Sequence, residues 1–239
     1  MAGFNQPEWA AFMDTEAEGA LVAVLSAPRL RPFGLGEAGC SRREAIVRHA
    51  GNMQRSEALY PLLHMLEIVM RNRIHAGFSA WAGRDDWFDA AWLWPGHAGL
   101  VADAKAAIAS RRRPVDPDRV VAELGFGFWC GMFHRSYESG SGPWPGLLPV
   151  VLPRVPKSWR TREKLRQRVE EARRTRNRVF HHEPLAIGVP DHAVLAHHRA
   201  IIELLGWFSP EARALVEQVC RFRAVVAATS AEVAHRPMA

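Results

Sequence analysis

The sequence predicts an all-α fold, a multi-helix bundle whose helices are joined by Trp-, Gly- and Pro-rich loops. Three observations carry that expectation. Apolar residues recur at helical spacing along most of the chain, alternating runs that would mark strands are scarce, and Pro and Gly cluster between the periodic segments. With 239 residues and 48% apolar content the chain can bury a full core, and a single domain over 1–239 is expected.

Residues 1–27 read as one amphipathic helix, broken by PRLRPFGLGEAG with Pro28, Pro32 and three glycines. A short helix is expected over 41–50. Next comes SEALYPLLHMLEIVMRNRIHAGF, where Leu59, Leu62, Leu63, Leu66, Val69 and Met70 repeat at helical spacing and Pro61 is tolerated in a first turn. The Trp- and Gly-rich GRDDWFDAAWLWPGHAG reads as a loop packed on the core, followed by a helix over about 97–112 that ends before Pro114. Asp116 reads as an N-cap with Pro117 at the first helical position, launching DRVVAELGFGFWCGMFHR. Residues 138–157, crowded with Pro, Gly and Ser, read as a loop. A basic helix over about 158–182 and helices over about 191–207 and 210–228 complete the chain, the last opened by Ser209 and Pro210.

Composition narrows the functional classes. Cys40, Cys130 and Cys220 are odd in number and lack metal-ligand spacing, which argues against a disulfide framework or a zinc finger and favours a reducing cytoplasm. The start, MAGFNQPEWAAFMDTEAEG, lacks the basic flank and apolar run of a signal peptide. The apolar stretch near Leu59 carries His64 and Glu67, so no membrane segment is expected.

The net charge of +6 is unevenly spread. Residues 154–178 hold nine Arg and two Lys against Glu163, Glu170 and Glu171, a local +8, so the rest of the chain sums to −2. Such a run is either a solvated helix face or a polyanion-binding patch, since phosphate binding needs clustered cations rather than total charge. Arg166, Arg173, Arg174 and Arg178 are the candidate RNA contacts.

The patch runs into RNRVFHHEP, Arg176 to Pro184, which joins a guanidinium, an amide and two imidazoles. A guanidinium can grip a scissile phosphate and offset the charge that builds as it is attacked, and imidazole moves protons near neutral pH. At about 100° per residue, Leu165, Val169, Ala172, Arg176 and Val179 share one stripe, so Arg176 stands where an apolar residue is expected. It either lines a phosphate-admitting groove or pairs with a buried carboxylate. Asn177 and His181, four apart, share a face beside that stripe. Pro184 disfavours helical geometry at Glu183, so the helix is expected to fray at the histidines, with His181 the first candidate for proton transfer and His182 the second.

Competing chemistries fit less well. His181, His182, His192, His197 and His198 crowd one region with Glu183 and Asp191, but no HExxH occurs and their spacing is poor for metal. No GxSxG or Cys/His signature appears, and GFGFWCGMF lacks phosphate-loop spacing. Glu67 and Arg71, four apart with Asn72 adjacent, form either a helix-stabilising pair or a support that orients a basic group in the site.

Four segments occur in one order: SAPRL (Ser26–Leu30), SEALYPLLHMLEIVMRNRIH (Ser56–His75), VVAELGFGFWCGMF (Val120–Phe133) and RNRVFHHEP. Over about residues 26–205 the chain resembles the Abi-like proteins of AbiD and AbiF type, a branch of the HEPN superfamily. That resemblance implies a HEPN-like helical bundle, a homodimer, and the ribonuclease motif Arg, polar residue, a few more, His, matched here by Arg176, Asn177 and His181. Phe33 stands where the family often carries an aromatic hydroxyl. The implied reaction is cofactor-free, metal-independent RNA scission by a ribose 2′-OH, in abortive-infection or toxin-type antiphage defence, with a neutralising RNA or protein partner. Glu67, Arg71, Asn72 and Glu183 would support that site. The alternative is a non-catalytic RNA-binding or protein-interaction module.

Overall fold

A computed structural model describes residues 13–137, 144–185 and 189–234. Among them every regular element is helical and no strand occurs. Helix α1 (Thr15–Leu25) is capped by Asp14, whose Oδ1 accepts from the Ala17 amide at 2.8 Å. It ends at Ser26, φ 73°, short of the expected residue 27, and the first twelve residues of the expected helix lie outside the described ones. The Pro-rich segment then forms α2 (Ala27–Leu30) and a 3₁₀ turn, Arg31–Phe33, because proline's fixed φ suits the start of a helical turn.

The two helices expected over 41–78 are one, α3 (Arg42–Ala82), with Pro61 in its interior rather than its first turn. An interior proline costs about 3 kcal/mol or more. Ala58, Leu59, Leu62, Leu63, Leu66, Met70, Ile74 and Phe78 are all buried along α3, and each large apolar side chain contributes about 1.5–3 kcal/mol, which outweighs that cost.

The Trp-rich loop holds a 3₁₀ turn, Trp87–Asp89, with Trp87 and Phe88 buried. After α4 (Pro95–Ser110), Asp116 caps α5 (Pro117–Glu123) by accepting from the Arg119 amide at 2.9 Å. The single helix expected from Asp116 onward splits at Leu124, and α6 (Phe126–Gly131) starts from Gly125. The Trp129 indole stabilises the break by donating to the Leu124 carbonyl at 3.0 Å.

Where a loop was expected over 138–157, α7 (Trp144–Val151) forms; residues 138–143 lie outside the described ones. Trp144, Leu147 and Val151 are buried at helical spacing, and that burial outweighs the breaking tendency of Gly146 and Pro149. A 3₁₀ turn, Lys157–Trp159, precedes α8 (Arg162–Phe180), the basic helix. Helix α9 (Asp191–Phe208) is followed by α10 (Pro210–Val219), capped by Ser209 Oγ, which accepts from the Ala212 amide at 3.1 Å. The expected 210–228 helix breaks at Cys220, which turns extended with its Sγ 3.3 Å from His198 Nε2, and α11 (Phe222–Ala234) follows.

The chain divides into two compact units. One takes the described parts of 1–60, 178–195 and 221–239, the other those of 61–177 and 196–220. In the first, Met13, Leu30 and Ile46 form a small core flanked by Leu21, Val22 and Leu25. Beside it, Arg55 donates to Thr229 Oγ1 at 2.8 Å and pairs with Asp191 at 3.2 Å. The second unit has an aromatic core. Phe78 packs on Trp87, Trp92 and Trp144 with ring centroids 4.8–5.7 Å apart, and Phe133 stacks on Trp144 at 4.7 Å. Trp87 and Trp144 each donate their indole N–H, to His75 Nδ1 and the Met132 carbonyl, so these large buried rings carry no polar penalty.

Candidate functional site

Within the second unit, helix α8 presents Arg176. Leu165, Val169, Ala172 and Val179 on its inner stripe are buried, and Arg176 interrupts them. Its Nε lies 3.5 Å from the Glu67 Oε2 of α3, with the two side chains 25% and 27% exposed. Glu67 therefore reaches Arg176 rather than Arg71, whose Nε donates to Asn72 Oδ1 at 3.2 Å. Asn177 follows, half-buried. Nearby Cys130 is buried, which pushes its thiol well above the ordinary range and keeps it protonated, although Arg173 pulls the other way.

The histidine-bearing turn belongs to the other unit. Helical geometry stops at the histidines, and it does so in an ordered turn: α8 ends at Phe180, His181 is the C-cap, and His182 adopts φ 58°, the left-handed region usually given to glycine. The His182 amide bonds the Val179 carbonyl at 3.2 Å and the Glu183 amide bonds the Arg178 carbonyl at 2.8 Å. That bond pair is a Schellman motif, and Pro184 stops further helix. Three side chains then clamp the turn. Arg29 Nη1 donates to the His182 carbonyl at 2.8 Å, and Arg178 Nη1 to the Leu185 carbonyl at 3.4 Å. Asn52 donates to the Glu183 carbonyl at 3.4 Å and accepts from the Leu185 amide at 2.8 Å. Both imidazoles and the Glu183 side chain are exposed on this fixed backbone.

Arg29 and Asn52 are the residues that sequence reasoning missed. Arg29 lies within SAPRL, so its segment carried a signal. Asn52, in mid-helix, carried none. Arg29 also adds to burial in holding the His49 imidazole below its ordinary pKa, and that ring stacks on Phe33 at 5.0 Å.

The basic patch is more heterogeneous than its charge count. Arg162 is buried and donates to the Phe133 carbonyl at 2.7 Å, and Arg168 lies over the Trp159 and Trp207 rings at 4.5 and 5.7 Å; both serve packing. Arg166 and Arg173 are engaged by carboxylates one turn back, Glu163 and Glu170, at 2.8 and 2.7 Å. The hydrogen bond from Arg166 holds Glu163 at about 2, and that from Arg173 lowers Glu170. Arg174, 73% exposed and 3.6 Å from Glu170, and the exposed Arg178 present the outward charge.

Among the described residues no three His, Cys, Asp or Glu side chains are grouped to hold a metal ion. His198 meets Cys220, and His75 of the RNRIH segment accepts from Trp87, a role that desolvation favours by lowering its pKa. No described helix is long and apolar enough to cross a membrane. Compared with known proteins, the chain gives no significant match to a family model, a curated protein or a solved structure.

Proposed function

We propose that this protein is a metal-independent endoribonuclease of bacterial abortive-infection or toxin-type defence, acting in the cytoplasm as a homodimer with a HEPN-like bundle. A ribose 2′-OH attacks the adjacent phosphorus, the 5′-oxygen leaves, and a cyclic phosphate remains. In this reading Arg176 grips the phosphate, Asn177 orients the reacting groups, and His181 moves the proton. The observation that carries it is the placing of Arg176: a guanidinium inside an apolar stripe, oriented by Glu67 yet a quarter exposed, five residues before a histidine at the helix end. The 3.5 Å separation from Glu67 is longer than a charge-assisted hydrogen bond, and a quarter of the Arg176 side chain stays open to an incoming phosphate.

The second reading, a non-catalytic RNA-binding or interaction module, draws on the same pair, because Arg176 and Glu67 also brace α8 against α3. One experiment separates them. Mixed RNAs incubated with the purified protein in chelator should give fragments ending in a cyclic phosphate, and Arg176→Ala or His181→Ala should lower their yield by about two orders of magnitude or more. RNA that is bound but left intact by the wild type, or cleavage that requires an added divalent ion, would overturn the nuclease reading.

A further inference from the structure

Tyr60 and Phe180 are both large apolar side chains left open to solvent, 48% and 40% exposed. Their rings lie 5.9 Å apart, tilted by 35°. Phe180 is the last residue of α8, directly before His181, and the Schellman turn with its Arg29, Asn52 and Arg178 clamps fixes the backbone that carries it. We propose that the Tyr60–Phe180 pair is a stacking platform for one unpaired base of a single-stranded RNA, beside the nucleotide that His181 acts on. The proposal rests on the ribonuclease reading and gives it a substrate class, single strands and loops rather than duplex.

The size and chemistry of the patch select this occupant. A stable protein interface buries about 800 Å² per partner around a continuous apolar centre, whereas the Tyr60–Phe180 pair is bordered in sequence by the charged or ionisable Arg178, His181 and His182, all exposed. A base needs only one or two aromatic faces, and cations beside those faces hold its phosphates. Both rings are carried on helical backbone, so little backbone freedom is lost when a base settles on them. A base in a duplex is already stacked and paired, and cannot reach such a platform without unpairing.

The test uses binding, so it does not depend on cleavage. A labelled ten-nucleotide 2′-O-methyl RNA, which lacks the attacking hydroxyl, is titrated by fluorescence anisotropy against wild type, Tyr60→Leu, Phe180→Leu and Tyr60→Phe. The leucine variants keep apolar bulk at exposed positions, and their melting temperatures should match wild type. Each should bind at least about fivefold more weakly, the lower end of what one stacked base contributes. Tyr60→Phe, which keeps the ring, should stay within about twofold of wild type, and the salt slope should not change, because no phosphate contact is lost. The same oligonucleotide with scattered abasic sites should lose affinity for wild type but not for the leucine variants. Equal affinities across the set, or no binding by wild type, would overturn the platform. So would weakened binding that tracks a fall in light-scattering mass, which would assign the pair to a protein interface. Ring-dependent binding by a wild type that cleaves nothing would support the platform while removing the nuclease reading, and cleavage with ring-independent binding would do the reverse.

Discussion

Arg29 Nη1 donates a 2.8 Å hydrogen bond to the backbone carbonyl of His182, a residue 153 positions further along the chain that sits at φ 58°. A side chain in the left-handed region costs about 1–2 kcal/mol, and such a conformation persists where its surroundings over-determine it. Arg29 and Asn52 supply that surrounding. They hold the turn on which His181 and His182 are displayed, and in the proposed nuclease they are positioning residues.

Removing either anchor should therefore loosen the turn more than it unfolds the protein. Arg29→Ala and Asn52→Ala are expected to speed hydrogen exchange at the amides of 182–185 and to lower kcat for RNA cleavage, with KM little changed. Arg29→Lys, which keeps a donor, should recover part of the rate. Unchanged exchange in both alanine variants would show that the Schellman bonds suffice alone.

The two histidines should separate by role. His181→Ala is expected to lower cleavage by about two orders of magnitude or more while RNA affinity stays close to wild type. His182→Gly relieves the left-handed strain and should keep activity with a melting temperature at or above wild type, whereas the β-branched His182→Val should lower it. Loss of cleavage in His182→Gly, measured beside His181→Ala, would transfer the proton-transfer role to His182.

Charge reversal should act unevenly along α8. Arg174→Glu should weaken RNA binding across sequences and flatten its salt dependence by about one phosphate contact, and Arg178→Glu should do the same while also releasing the Leu185 carbonyl that Arg178 clamps. Arg166→Glu and Arg173→Glu remove guanidiniums already bonded to Glu163 and Glu170, and also place like charges one turn apart, so melting should fall with binding. Four equal salt slopes would reduce the patch to a solvated helix face.

Acid stability should depend on His97. Its ring is buried, its Nδ1 is 2.5 Å from the Tyr137 hydroxyl, and a Cβ at Gly131 would collide with it. Burial first, then the nearby His134, pushes its pKa down from 6.5 to about 4. The unfolded chain takes up this proton first as pH falls, so the histidine's contribution is complete above about 6.5 and is lost between 6.5 and 4. Melting temperature should drop over that window, and drop less steeply in His97→Gln. Parallel curves for the two proteins would place the acid sensitivity elsewhere.

Local chemistry made much of the fold legible. Asp116 with Pro117 and Ser209 with Pro210 are caps whose hydrogen bonds close within three residues, and they form where their spelling places them. The α8 stripe, with Arg176 as its polar interruption, is equally local, since helical periodicity alone assigns the face. Where longer-range burial competes with a local breaker, the reading fails: α3 runs through Pro61, and α7 forms across Gly146 and Pro149.

The sequence by itself determined that the chain is helical and that a guanidinium, an amide and two imidazoles end its basic helix, because those facts depend on neighbours in the chain. Tertiary structure alone decided that Glu67 turns to Arg176 and that His182 sits left-handed under Arg29 and Asn52. The long-range bonds join residues more than a hundred positions apart, and a carboxylate with several cations in reach takes the one that packing brings to it. Spacing along a chain carries neither kind of information.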